Sequence, residues 1–564
     1  MTPPINPYGL SLHSFVWVGV AEVNFMGYAN IKQRGTGLRQ RIYARAFIVH
    51  DTTTNKRVVH VTTDTAMMSQ FVRQRVLQRL HQKFEPSLYT HENVMITGTH
   101  SHSGPGGFLG YLLYDLTALG WVNQTAEAIV AGIVRSIERA HKHMRPGTIS
   151  AHVGELLNAS VNRSPSSYEL NPAEERARYR YNTDKEMTLL RFNDASGKGI
   201  GQLNWFATHG TSMNNTNTLV TGDNKGYAAI KFEQAMNPPE SPTGWPEGFV
   251  AAFSQTNMGD VSPNTEGAKC LDTGLPCDYK HSTCNGKNEL CVARGPGWQQ
   301  GDFASNQIIG DRQYQKAREL YHSRPRTVLS GPIDYRHIYL DMSKTAFTYD
   351  NGTAGHTCPP AMGYSMAAGT TDGPGQFDFY QGQNTSNPLW NFAGSIVTKT
   401  PSREQAACHH PKPILLNTGE THFPYEWQPK IVELQVFRIG QVFVVGVPAE
   451  FTTMAGRRMR EAVKKAAMEQ GIAGKDAIVV VSGPSNTYAS YTTTPEEYAG
   501  QRYEAGSTIF GPGSLPAYVQ SAVRLVRSMA RKARVESAVA PPDFSRKFIS
   551  LQTGVVLDSH PIGK

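Results

Sequence analysis

A mixed α/β fold is predicted for this 564-residue chain by three observations: apolar runs of strand length, capped helical patterns between them, and a polar or ionisable side chain soon after each run. In α/β architectures the crevice beyond the carboxyl ends of strands is the usual ligand site, so several such ends can supply one shared pocket. Hydrophobic residues at 39% and charged residues at 18% describe a globular chain. No apolar run approaches the length of a membrane span.

Phe15-Val16-Trp17-Val18 and Ala44-Arg45-Ala46-Phe47-Ile48-Val49 read as opening strands. Ser69 is the N-cap expected for a helix with Val72, Val76, Leu77 and Leu80 on one face, and Thr125 for one carrying Ile129, Ile133 and Ile137. Between them Val94-Met95-Ile96 reads as a buried strand entering residues 99–107, which hold two imidazoles, three hydroxyls and three glycines. Leu203-Asn204-Trp205-Phe206-Ala207-Thr208 leads to His209, and Phe249-Val250-Ala251-Ala252-Phe253 leads to a loop containing Ser262. Val442-Phe443-Val444-Val445-Gly446-Val447-Pro448 leads to Glu450, and Ile478-Val479-Val480-Val481 to Tyr488 and Tyr491. Thr494-Pro495-Glu496-Glu497 has the capping-box arrangement, with Tyr498 and Tyr503 expected on the helix it starts. Residues 267–300 and 353–426 are rich in Gly, Pro, Asn and Cys and read as long insertions pinned by disulfides. One catalytic domain is expected over residues 1–535, with residues 536–564 as a tail.

The formal charge of +9 suits an acidic partner such as an anionic membrane surface, and no nucleic-acid-binding motif is present. Arg524, Arg527, Arg531, Lys532 and Arg534 gather on a helix-like segment and read as a solvated face. Cys270, Cys277, Cys284 and Cys291 recur every seven residues without the close CxxC pairs of a zinc ribbon, and an even total with Cys358 and Cys408 favours disulfides. Sequons at Asn123, Asn158, Asn162, Asn214, Asn351 and Asn384 agree with a glycosylated, secreted protein. The first residues lack a basic stretch followed by an apolar one, so secretion implies a leader absent from this sequence or another export route.

His100 and His102 alternate and share a face in extended structure. An HxH alone is weak. With His209 and Glu450, each following its own apolar run, it becomes two imidazoles and a carboxylate, a catalytic-zinc ligand set that leaves a position open. Glu450 also suits the N-terminus of a helix outlined by Met454, Met459 and Val463. Ser262 lies between Val261 and Pro263, and the pattern GxSxG is nowhere in the chain, which counts against an ordinary serine hydrolase.

The blocks GTHSHSGPGG (98–107), FATHGTSMNNTN (206–217), GDNKGYA (222–228), TNMGDVSPN (256–264), VPAEFTTMAGRRMR (447–460) and TYASYTTTPEEYAGQRYEAGSTIFGP (487–512) together resemble the neutral, non-lysosomal ceramidase family. The resemblance implies hydrolysis of the amide of N-acylsphingosine to a sphingoid base and a fatty acid. It implies zinc (Zn2+) bound by His100, His209, Glu450 and Tyr491. Tyr491 is preferred to Tyr488 because Tyr503 follows it by twelve residues, as in the family's tyrosine pair. His102, Arg163 and Tyr503 would surround the scissile amide, and Ser262 matches the residue usually assigned as nucleophile. Zinc would polarise the carbonyl and bring the pKa of water down towards about 7. The disulfides implied are Cys270–Cys284, Cys277–Cys291 and Cys358–Cys408, and Phe108-Leu109-Gly110-Tyr111-Leu112-Leu113 reads as helix core or, less simply, a lipid channel. Peripheral contact with a membrane surface is expected. The family's C-terminal immunoglobulin-like domain would begin about where this sequence stops, which leaves a structural Ca2+ or Mg2+ in question. Two other readings stay open: a serine-type lipid acylhydrolase using Ser262, and an inactive lipid-binding module.

Overall fold

The computed structural model describes residues 8–17, 22–237, 248–349 and 351–551, the first of these as backbone alone. Two β-sheets carry the chain. The larger runs Val250–Ser254, Gly199–Trp205, Glu186–Asp194, Arg145–Glu155, Tyr8–Trp17, Ile42–Asp51, Lys56–Thr63 and Val94–Gly98 in spatial order, with Thr327–Val328 also paired to Arg145–Glu155. The smaller runs Ile333–Asp341, Ile431–Ile439, Val442–Gly446 and Ile478–Ser482. Residue 18 of the expected opening strand lies outside the described residues.

Period-two patterning explains why the sheets stack. On Val442–Gly446, Val442 and Val444 face the larger sheet, packing with Phe47, Val49, Val58 and Phe192, while Phe443 and Val445 face the helices Thr453–Glu469 and Ser514–Arg531. Ile42, Ala44, Ala46 and Ile48 turn outward against Gln70–His81 and Asn123–Lys142, while Phe47 and Val49 turn inward. A strand covered on both faces reads as a continuous apolar run, which is why these runs are so conspicuous in the sequence. The result is a helix, sheet, sheet, helix stack, with Asp223–Met236 and Asp302–His322 covering the other end of the larger sheet.

Within these two sheets most pairings are antiparallel, but three are parallel: Gly199–Trp205 with Val250–Ser254, Lys56–Thr63 with Val94–Gly98, and Val442–Gly446 with Ile478–Ser482. Their carboxyl ends feed the candidate site. The two sheets are tied there, where the Ile96 and Asn486 segments exchange hydrogen bonds, Asn486 N–H to Ile96 O at 2.8 Å and Ile96 N–H to Asn486 Oδ1 at 3.0 Å.

Ser69 caps its helix through Oγ, which accepts from the Phe71 and Val72 amides, and Thr494 with Glu497 forms the capping box. Two boundaries differ from expectation. The second early helix starts at Asn123 with Val122 as N-cap, because the Val122 amide is drawn into a bond to Gly107 O at 2.7 Å, and Thr125 lies inside it. The helix from Pro495 stops at Ala499, since Gln501 adopts a left-handed φ of 44°, and Tyr503 begins a separate turn. Phe108 and Leu109 are core residues against Phe71 rather than channel lining. The disulfides are Cys270–Cys284, Cys277–Cys291 and Cys358–Cys408. Beyond the last long helix, Phe544 and Phe548 pack on the rings of Phe71, Tyr111 and Trp121. Among the described residues no helix is long and apolar enough to cross a membrane.

Candidate metal centre and adjoining cavity

His100 leaves its strand with a left-handed φ of 69°, a conformation disfavoured for a residue with a side chain, and so turns its ring back into the interior. Its Nδ1–H donates to Ala66 O at 2.7 Å. His209 Nδ1–H donates to Met258 O at 2.8 Å and Val261 O at 3.1 Å. Each bond commits the proton to Nδ1 and leaves the Nε2 lone pair pointing inward. The loops carrying these rings are fastened by a Ser101 to Gly210 bridge, and Gly210 is required there because a Cβ would lie 2.1 Å from His100 O.

Glu450 arrives on the two-residue strand Glu450–Phe451, paired in parallel with Tyr491–Thr492, ahead of the helix it was expected to start. Its Oε1 accepts from Tyr488 OH at 2.6 Å. Its Oε2 lies 3.1 Å from His209 Nε2 and 3.3 Å from His100 Nε2. With both Nδ1 atoms donating elsewhere, neither facing nitrogen of a neutral ring carries a hydrogen, and His209 Nε2 and Glu450 Oε2 are buried without a hydrogen-bond partner. Three electron pairs aimed at one point repel one another unless a cation sits among them. Burial first, then the Arg163 charge, lowers His209 to about 4, so its ring is neutral at neutral pH.

His102 stands between this cluster and the adjoining cavity. Its Nε2 is 3.1 Å from His100 Nε2, and His100, His102 and His209 together form a group whose donor atoms could hold a metal ion. Tyr28 meets its ring edge-on at a centroid distance of 4.6 Å. Behind the ring is Gly27, at φ 128°, where a Cβ would come within 2.4 Å of His102 Cγ. Gly27→Ala is therefore expected to displace His102 and cost at least about 2 kcal/mol of stability by backbone strain and overpacking. Parallel thermal melts and metal titrations check this, and an unchanged pair of values contradicts it.

Arg163 is fixed from every side. Nε donates to Glu504 Oε1 at 3.0 Å, Nη1 to Asp372 Oδ2 at 3.2 Å, and Nη2 to Gly259 O at 2.8 Å and Tyr491 OH at 3.0 Å. Tyr491 and Tyr503 meet edge to face at 5.4 Å. Burial, then Glu450, pushes the Tyr491 phenol well above its usual value, so ionising it requires a cation beyond Arg163. His102, Arg163, Tyr491 and Tyr503 form the polar end of a cavity of about 590 Å³, whose other walls include Phe379, Trp390, Val397, Leu415 and Leu416. This is a chamber with largely apolar walls that also presents cationic and phenolic groups.

Ser262 is placed differently. Its Oγ donates to Asp372 Oδ1 at 2.5 Å and accepts from the Asn264 amide at 3.0 Å, so its bonds run to these residues rather than to an imidazole. It borders a separate cavity of about 210 Å³. Asp372 therefore joins Ser262 to Arg163. Sequence reasoning missed Asp372, because it lies in the Gly- and Pro-rich insertion, and also Glu504, although it directly follows Tyr503. Tyr488, set aside in favour of Tyr491, turns out to hydrogen-bond the carboxylate of Glu450.

The profile described as neutral/alkaline non-lysosomal ceramidase, N-terminal, matches residues 18–520. The chain belongs to that family. It is similar to neutral ceramidase 1 of Arabidopsis thaliana, 45% identical with 99% of this chain and 80% of that protein covered. Neutral ceramidase of Drosophila melanogaster is 46% identical, covering 96% and 77%. A solved ceramidase complexed with C2 superposes with a TM-score of 0.84 at 39% identity over 99% of this chain and 81% of that one. The neutral ceramidase of Pseudomonas aeruginosa gives 0.81 at 38% identity, over 99% and 80%. Membership makes the protein a hydrolase and agrees with the mixed α/β architecture read from its sequence.

Proposed function

We propose that the protein hydrolyses the amide of ceramide at a zinc ion held by His100, His209, Glu450 and Tyr491. The observation supporting this is the cluster of inward lone pairs, of which His209 Nε2 and Glu450 Oε2 have no partner, beside a cavity whose walls are largely apolar. Zinc suits a donor set of two imidazoles, a carboxylate and a phenol. When bound, such an ion supplies Lewis-acid polarisation of an amide carbonyl and a water acidified towards neutral pH.

The chain's own residues do the rest. Arg163 provides a buried, preorganised positive charge where the carbonyl oxygen becomes negative. Tyr503, whose phenol is pushed up to about 12 by burial, stays protonated at neutral pH and donates into the same space. His102, whose ring burial holds well below its ordinary pKa and so keeps neutral, can take up a proton from the attacking water and pass it to the departing amine. The apolar walls take the hydrocarbon chains and exclude water. Ser262 acts as a positioning residue through Asp372 rather than as nucleophile. Three disulfides favour an oxidising, secretory setting.

Fatty-acid release from labelled ceramide, followed with and without a strong chelator, tests this reading. Chelation is expected to abolish release and added zinc to restore it. Release indifferent to the chelator, together with covalent trapping at Ser262 by an acylating inhibitor, would establish the serine-type alternative instead.

A further inference from the structure

The helix Pro388–Val397 is unusual for a surface element. It contains no charged residue, and Gly394 is its single buried position. Leu389, Phe392 and Ile396 point outward and are 67%, 67% and 72% exposed. On the opposite side Trp390, Ala393, Gly394 and Val397 line the cavity, a spacing that puts them on one helical face. One short helix thus has lipid-type walls on its inner side and bare hydrocarbon on its outer side. Phe377, held at a left-handed φ of 69° and 69% exposed, sets its ring 5.3 Å from that of Trp390. Phe423, 85% exposed, follows Thr421, whose hydroxyl accepts from the Lys399 amide just past the helix. Single exposed apolar residues are ordinary, but a contiguous group at a cavity mouth marks an interaction surface.

We infer that this face, built from Leu389, Phe392, Ile396, Phe377 and Phe423, inserts into the boundary between headgroups and acyl chains of a phospholipid bilayer. The inference rests on the reading of the cavity as a lipid-amide site. Continuity selects the occupant: a two-chain lipid passing from a bilayer into the cavity crosses no water if the bilayer covers the outer face of the same helix. Lys399 and Arg403 beyond its end stand beside Glu420 and Glu404, so the apolar face rather than net charge carries the docking. A ten-residue helix of this kind lies on a membrane rather than through it.

The test uses the full chain and the triple variant Leu389→Ser, Phe392→Ser, Ile396→Ser, none of which lines the cavity. Partition onto vesicles of phosphatidylcholine and phosphatidylserine is measured by sedimentation. The variant is expected to partition at least about a hundredfold more weakly, the effect of withdrawing three large apolar side chains that each enter the lipid only in part. Hydrolysis of ceramide embedded in those vesicles should fall in parallel, while a water-soluble short-acyl ceramide is cleaved as before. Equal partition of the two proteins overturns the inference, as does an equal loss on the short-acyl substrate, or a dimer in the unmodified protein that the variant turns into a monomer with vesicle binding unchanged. Strong vesicle binding by a protein that cleaves neither substrate refutes the hydrolytic reading and leaves the docking face standing.

Discussion

Replacing Glu450 by Gln, or His209 by Ala, is expected to strip zinc from the purified protein and lower ceramide turnover by more than about a thousandfold, several kcal/mol of lost transition-state stabilisation. Glu450→Gln is the sharper variant, because it keeps the volume and the partner of Tyr488 while removing the charge. In the structure that charge faces His100 Nε2 at 3.3 Å and His209 Nε2 at 3.1 Å. With Gln in place an amide N–H can donate to one ring, and the site satisfies itself without a metal. The prediction therefore has two parts, loss of stoichiometric zinc by elemental mass spectrometry and loss of fatty-acid release. A metal-free variant of unchanged activity would remove the basis of the proposed mechanism. Zinc should also raise the melting temperature of the unmodified protein, because the ion binds the folded state and relieves the repulsion of three lone pairs, and the variant should lose that increment.

The difference between what was legible in the sequence and what was not follows from the range of the forces involved. Strands covered on both faces announce themselves as apolar runs, and side-chain caps such as Ser69 and Thr494 are satisfied within three residues, so local sequence specifies them. His100, His209 and Glu450 were each visible as a ligand-type residue just after a strand, and parallel pairing is the physical reason such positions meet. The left-handed turn at His100 was not visible, since it is imposed by hydrogen bonds to Thr65 and Ala66 from another strand's end. The break at Gln501 and the start of a helix at Asn123 were likewise set by backbone contacts distant in sequence. Asp372 was illegible for a further reason. A carboxylate in a loop of Gly and Pro resembles any solvated turn residue, and its importance arises from Arg163 and Ser262, which lie 209 and 110 residues away.

Arg163→Ala is expected to lower kcat/KM by roughly a hundred- to a thousandfold, the range for removing one preorganised charge from a developing oxyanion. It should also destabilise the fold by about 3 to 5 kcal/mol, because Glu504 and Asp372 would be left buried with their cation gone. The two effects separate by variant. Glu504→Gln disturbs the burial of charge on the opposite side of Arg163 and should lower the melting temperature with a smaller rate loss, whereas Arg163→Lys keeps the charge but loses the fork that grips Glu504, Asp372 and Gly259 at once. Ser262→Ala provides the decisive contrast. As a positioning residue its hydroxyl supplies one hydrogen bond to Asp372, so its loss should cost about 1 kcal/mol and about tenfold in rate. As a nucleophile its loss would cost at least about ten-thousandfold, as expected when the attacking atom itself is removed. Measuring both variants in one assay decides the matter: a larger loss from Arg163→Ala than from Ser262→Ala places the chemistry at the metal end of the cavity, and the reverse order places it at Ser262.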